Sequence, residues 1–391
     1  MDFEKIVNPI VKDIPPSGIR KFFDLANQME GVISLGVGEP DFATPWTIRE
    51  AAIYSIEKGK TFYTANQGLL ELRKEICKYQ KRRFDLDYKP EQCIVTVGGS
   101  EGIDLAFRTI INPGDEVIIP TPCWVSYVDQ VKMVEGTPVT FQTTEENHFK
   151  ATVEQLEAAR TDKTKVVLLN SPSNPTGMIY SKEELEAIGN WAVEHDILIL
   201  ADDIYGRLVY NGNTFTPISS LSEAIRKQTI VINGVSKTYA MTGWRVGFAV
   251  GDPEIIGAMA KVISQTTSNL TTVSQYAAIE ALTGDQSSIE IMRQAFEERL
   301  NTIYPLLNEV PGFEAIKPQG AFYLFPNVKK AMEMKGYTDV TEFTTAILEE
   351  AEVALVTGAG FGAPENVRLS YATDLDTLKE AVRRLKAFME K

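Results

Sequence analysis

The chain has 391 residues, 44% of them hydrophobic and 24% charged, and a formal net charge of -14. That length exceeds what one hydrophobic core usually fills, so two domains are expected. The acidic balance, with no basic patch, argues against a nucleic-acid or anionic-membrane partner, and three widely spaced cysteines without a CxxC pair read as reduced thiols of a cytoplasmic protein rather than a disulfide framework or a zinc site.

In chain order, the N-terminal stretch has no charged-then-apolar leader, and no apolar run anywhere reaches the ~18 residues of a membrane span. The break Ile14-Pro15-Pro16-Ser17-Gly18 marks a front arm, and the first 45 residues are expected to fold back onto the C-terminal part. From 93 to 250, short β-rich runs alternate with helical segments. The runs are 93–97, 116–120, 138–141, 165–170, 197–201, 229–233 and 246–250. Most are apolar on both faces, as strands covered by helices are. Seven such strands predict an α/β fold with a doubly wound, mostly parallel sheet. Asn112-Pro113-Gly114-Asp115 ends one helix, and Ser181 with Glu184 opens another through a capping box.

After residue 250 the pattern predicts helices at 253–265, 272–282 and 288–308. A smaller α+β segment follows, with strands near 313–316, 322–325, 353–356 and 367–370 and a final helix from about 374. The expected division is an N-terminal arm with part of the small domain at 1–47, a large domain at 48–284 and a small C-terminal domain at 285–391.

His148 and His195 are the chain's two histidines, and neither adjoins an acid or a nucleophile, which disfavours histidine triads and histidine-rich metal sites. Other residues offer chemistry, each beside a plainer reading. Lys237 follows the apolar strand 229–233, where open α/β folds bind ligands. It reads as a solvated lysine, or as an amine nucleophile whose proton affinity a second cation, Arg245, lowers. Val97-Gly98-Gly99-Ser100-Glu101-Gly102 runs from strand to helix and either simply turns the chain or offers amides to an anion. Asp202-Asp203-Ile204-Tyr205 places acids at a strand end, as a helix cap, a magnesium ligand or a partner for a protonated heteroaromatic nitrogen. Asn174, in Ser171-Pro172-Ser173-Asn174-Pro175-Thr176-Gly177, belongs to a rigid turn and offers an amide to a phenolate oxygen. Trp124 is either core or the wall of a flat-ring site. Arg368, inside an apolar strand, faces water at an edge or meets a carboxylate.

Taken together, these motifs resemble the class I/II aminotransferases of pyridoxal phosphate fold type I. The resemblance also covers Val37-Gly38-Glu39-Pro40-Asp41-Phe42, Tyr63 with Gly68 and Glu71-Leu72-Arg73, Gly243-Trp244-Arg245-Val246-Gly247 and Arg368-Leu369-Ser370-Tyr371-Ala372. It implies that Lys237 bonds to the cofactor as a Schiff base, that Asp202 pairs with the ring nitrogen, and that Asn174 and Tyr205 hold the ring oxygen. It further implies that Trp124 stacks on the ring and lines the substrate site with Asn174, and that Gly99, Ser100, Glu101, Ser236 and Arg245 hold the phosphate. Arg368 and the backbone of Gly38 are implied to clamp the substrate α-carboxylate. Tyr63 is implied to reach the neighbouring subunit's phosphate, which makes the unit a homodimer. Gly234 stands where many members have serine, and Ser100 where some dicarboxylate-handling members have lysine. The arm Ser17-Gly18-Ile19-Arg20-Lys21-Phe22-Phe23 looks more like that of aromatic or broad-range members, and also like that of some members acting on acylated diaminopimelate.

The expected activity is transfer of an amino group between an L-amino acid, aspartate or an aromatic or broader range of donors, and a 2-oxo acid, 2-oxoglutarate, by a ping-pong mechanism. One alternative is a carbon-sulfur β-lyase using the same lysine. Another is a pyridoxal phosphate-sensing regulatory module, which calls for a basic helix-turn-helix ahead of the motifs, where too few residues precede Gly38.

Overall fold

The structure, a computed structural model, describes residues 3–15, 29 and 31–391. Seven strands form the central sheet: β2 (Cys93–Val97), β3 (Glu116–Thr121), β4 (Thr137–Gln142), β5 (Thr164–Asn170), β6 (Leu198–Asp202), β7 (Thr229–Gly234) and β8 (Val246–Val250). Their order is β2-β8-β7-β6-β5-β3-β4. Only β8 runs antiparallel to its neighbours, pairing Val97 with Val246 on one side and Gly234 with Gly247 on the other. The predicted strands lie within one residue of these bounds, because the side chains of most of them, though not of the edge strand β4, are buried on both faces. In β7 every residue is buried.

Helices cover both faces. Gly98–Ile110 and Pro253–Gln265 pack on one, around Ile103, Phe107, Ile119, Ile232, Ile256 and Met259. Leu70–Phe84 and Thr272–Thr283 pack at the β2–β8 edge, around Leu72, Ile76, Val95, Phe248 and Ala277. Lys182–Glu194 starts at the predicted capping box, where Ser181 Oγ accepts from Glu184 N at 3.2 Å and Glu184 Oε2 accepts from Ser181 N at 2.7 Å.

A further core gathers residues of 292–389 with Leu35, Tyr205, Leu208 and Tyr210. The helix Ser287–Leu307 supplies Phe296, Leu300 and Ile303 to it. Two small sheets lie here. β1 (Ile33–Ser34) pairs in parallel with β10 (Val353–Ala354), so residues 33–34 join the C-terminal part, whereas the helix Pro9–Asp13 meets the helix Ser126–Met133 beside the central sheet instead. β9 (Tyr323–Leu324), β11 (Val356–Thr357) and β12 (Val367–Ser370) form the other, in the order β11-β12-β9.

Two expectations need correction. The strand near 313–316 is a single bridge, Glu314 to Asn327. The strand near 353–356 is two, because the chain changes sheets at Leu355: Ala354 pairs with Ser34, and Val356 with Arg368. The arm motif 17–23 lies outside the described residues. No helix among the described residues is long and apolar enough to cross a membrane, and no group of acid, histidine and cysteine side chains among them could hold a metal ion. Cys77, Cys93 and Cys123 are buried and unpaired with one another.

Candidate active site

The central strands open at one edge onto a cavity of about 230 Å³. β2 leads directly into the helix Gly98–Ile110, which delivers Gly99 and Ser100. The turn after β3 supplies Trp124, β5 ends at Asn170 with Asn174 just beyond, and β6 ends at Asp202 with Tyr205 after it. The stretch beyond β7 carries Ser236, Lys237 and Arg245. Gly38 and Arg368 line the cavity from the other core. Asp203 turns the other way, as alternate side chains at a strand end do, and does not line the cavity.

Lys237 Nζ donates to Gly38 O at 2.5 Å. Burial, then the positive charge of Arg368 and, less strongly, that of Arg245, lower the amine's pKa to about 8 against the opposing pull of Glu39 and Asp202. Arg368, rather than Arg245, is therefore the more influential second cation. Asp202 Oδ2 accepts from Tyr127 Oη at 2.6 Å and Oδ1 from Ile204 N at 3.2 Å. Burial raises the Asp202 pKa, and these two hydrogen bonds pull it back toward the charged form.

Arg368 is only 1% exposed. Its Nη1 donates to Asn174 Oδ1 at 2.9 Å and its Nη2 to Gly36 O at 2.8 Å. Its buried Nε has no hydrogen-bond partner among the described residues. The edge-strand reading therefore fails: the guanidinium is inside, beside the cavity. Tyr205 and Tyr323 pair through their hydroxyls at 2.8 Å.

Ser100 and Arg245 sit at the exposed mouth, where Arg245 Nη1 donates to Thr242 O at 2.9 Å. The helix Gly98–Ile110 starts there without a side-chain cap, so its first amides face the same region. Glu101 is placed otherwise: its carboxylate accepts from Val97 N at 2.5 Å and from Thr267 Oγ1 at 3.0 Å, leaving its backbone to face the mouth. At Gly234 an added Cβ would come within 2.8 Å of Val246 O, so no serine fits there without movement, whereas Ser236 lines the cavity. Tyr63 is 89% exposed and does not line the cavity of its own chain.

Sequence reasoning missed a supporting layer. Asn170 Nδ2 donates to Asp202 O at 2.9 Å and its Oδ1 accepts from Asn174 N at 2.8 Å, which ties two site residues together. Tyr127 and Tyr323, to which the sequence assigned no task, also line the cavity. Tyr127 lies three residues after Trp124, and its backbone N–H donates to the Trp124 carbonyl at 3.2 Å.

A family model described as aminotransferase class I and II matches residues 30–385. The chain is 70% identical over 368 residues to an asparagine–oxo-acid transaminase of Streptococcus mutans, covering 94% of each. It is 53% identical to an aspartate aminotransferase of Bacillus subtilis, covering 92% of each. Among solved structures, an aspartate aminotransferase from Rhizobium meliloti superposes with a TM-score of 0.95 at 38% identity, covering 98% of both chains. With a cavity lysine at the end of a mostly parallel sheet, and matches of this extent, the chain belongs to the class I and II aminotransferases, transaminases that use pyridoxal phosphate.

Proposed function

We propose that the chain moves an amino group between L-aspartate or L-asparagine and a 2-oxo acid, 2-oxoglutarate, in the cytoplasm, with Lys237 as the catalytic base. Aromatic donors remain the next range to assay. The similarity to an asparagine–oxo-acid transaminase and an aspartate aminotransferase supports the four-carbon donors. The single observation that carries the chemistry is the Lys237 amine, buried, lowered to about 8 and lining one cavity with Asp202 and Arg368.

The residues present fit the cofactor. Lys237, Arg245 and Arg368 outnumber Asp202 among the cavity's charged side chains, which suits a phosphate and a carboxylate. A buried carboxylate faces inward where a protonated ring nitrogen is required. The unpartnered Nε of Arg368 marks donor capacity beside the cavity. When bound, pyridoxal phosphate supplies an electron sink for the carbanion left as the substrate loses its α-proton.

Each residue then has a task. Asp202, held by Tyr127, keeps a proton on the ring nitrogen. Asn174 and Tyr205 hold the ring oxygen, and Trp124 forms the wall beside the ring. The amides of Gly99, Ser100 and Glu101, with Ser236 and Arg245, hold the phosphate. Arg368, with the Gly38 backbone, clamps the α-carboxylate by its planar fork. Lys237 would take the substrate's α-proton and hand it back to the carbon on the far side of the amino nitrogen, general acid-base catalysis without histidine.

The same reading divides the chain into a cofactor-binding unit at 48–284 and a smaller unit formed by 285–391 with part of 1–47. It also makes the chain a homodimer. Trp46, Tyr54, Ile56, Phe62 and Tyr63 are exposed together between 46 and 63, an apolar surface of the kind that subunit interfaces cover, and Tyr63 is thereby offered to a partner's site.

Lys237→Ala tests the proposal. Transamination with aspartate and the visible absorbance of the lysine-bound cofactor should both disappear. Retention of both would overturn the assignment of Lys237.

A further inference from the structure

Tyr323 touches three residues with different tasks. It is fully buried and belongs to β9, where the register sets Ser370 of β12 opposite it. Arg368, two residues from Ser370, is then Tyr323's diagonal neighbour on the same sheet face. The Arg368 guanidinium carbon lies 4.4 Å from the Tyr323 ring centroid, and Phe361 flanks the same carbon at 5.1 Å. At the other end of the side chain, the Tyr323 hydroxyl is 2.8 Å from that of Tyr205, with the two rings near perpendicular at 5.9 Å. The same hydroxyl is the atom nearest to the Gly38 side-chain position, where a Cβ would come within 2.7 Å of it.

The approach to Tyr323 is held in place. Ala321 adopts a φ of 58°, a left-handed conformation costly for a residue with a Cβ. The hydroxyls of Tyr210 and Tyr371 both donate to the Ala321 carbonyl, which fixes that turn.

Resting on the proposed placement of Tyr205 at the ring oxygen and Arg368 at the α-carboxylate, the geometry points to Tyr323 as a positioning residue that couples these two contacts. The tyrosine hydroxyl has one hydrogen. When Tyr205 gives its hydrogen to the cofactor's ring oxygen, its lone pairs accept from Tyr323, and a hydroxyl that accepts a hydrogen bond donates a stronger one. The ring face of Tyr323 sets the plane of the Arg368 fork through cation–π contact, while Nη1 and Nη2 remain on Asn174 and Gly36. The hydroxyl thus acts on the ring oxygen, and the ring acts on the carboxylate clamp.

The test uses the loaded protein and two readouts other than turnover. One is the pH midpoint at which the bound cofactor's visible absorbance titrates. The other is the dissociation constant of 2-methyl-L-aspartate, which carries an α-carboxylate but has no α-hydrogen to lose. Tyr323→Phe should raise the midpoint by about half a pH unit, since a weaker donor leaves the ring oxygen more basic. It should leave 2-methyl-L-aspartate binding within about twofold. Tyr323→Leu should weaken that binding about tenfold. Tyr205→Phe serves as the control and should raise the midpoint further than Tyr323→Phe does. An unmoved midpoint in Tyr323→Phe beside a raised one in Tyr205→Phe overturns the coupling while leaving the proposed function standing. Both readouts moving in Tyr323→Phe indicates a structural role only, and also overturns it. An unmoved midpoint in Tyr205→Phe removes the placement of Tyr205, and the coupling falls with it.

Discussion

At the residue scale, the decisive property is a lysine whose hold on its proton the fold weakens. The unfolded chain holds that proton up to about pH 10.5, whereas the folded site releases it at about 8. Between these values the unfolded state binds more protons, so folding stability rises with pH across the window. The cost is full below pH 8 and gone above 10.5. In the cofactor-free protein, Lys237→Met should therefore stabilise at pH 7 by on the order of 3 kcal/mol, and the gain should vanish as pH passes 10.5. Denaturant melts at several pH values measure this; a gain that does not change with pH would contradict the buried-amine account. Lys237, Asp202 and Arg368 were legible in the sequence because a charged residue at the end of an apolar strand, or inside one, needs a reason. Tyr127, Asn170 and Tyr323 were not, since a buried tyrosine or a turn asparagine is ordinary until its partner is seen.

At the scale of elements, the end proposed to face the phosphate is set by how closely β8 approaches the helix Gly98–Ile110. A Cβ added at Gly247 would come within 2.6 Å of both Gly98 O and Gly99 N, so no side chain fits without moving the helix start. Gly247→Ala should lower cofactor affinity at least about tenfold and destabilise the fold by roughly 1–3 kcal/mol, as overpacking against backbone does. Equilibrium dialysis of the cofactor and denaturant melts give the two values, and unchanged affinity would contradict the placement of the phosphate there. The central strands were readable because burial on both faces leaves continuous apolar runs. The short strands were not: two-residue pairings such as Ile33–Ser34 with Val353–Ala354 carry no periodicity, and the sheet change at Leu355 is set by partners far away in the chain.

For the whole molecule, the proposed dimer predicts that sites are shared between chains. Tyr63→Ala should weaken cofactor binding although Tyr63 does not line its own chain's cavity. A mixture of Tyr63→Ala and Lys237→Ala chains, unfolded and refolded together, should regain about a quarter of wild-type activity. Half of randomly assembled dimers are mixed, and each of these has one intact site of two. No recovery above the sum of the two separate variants would contradict a shared site.

The most direct test of transamination is a half-reaction without acceptor. L-aspartate added to the loaded protein should bleach the cofactor's visible absorbance and release one oxo acid per subunit, with no free ammonia, and 2-oxoglutarate should then restore the absorbance. Continuous release of ammonia and oxo acid with no acceptor present would contradict the account and identify a lyase instead.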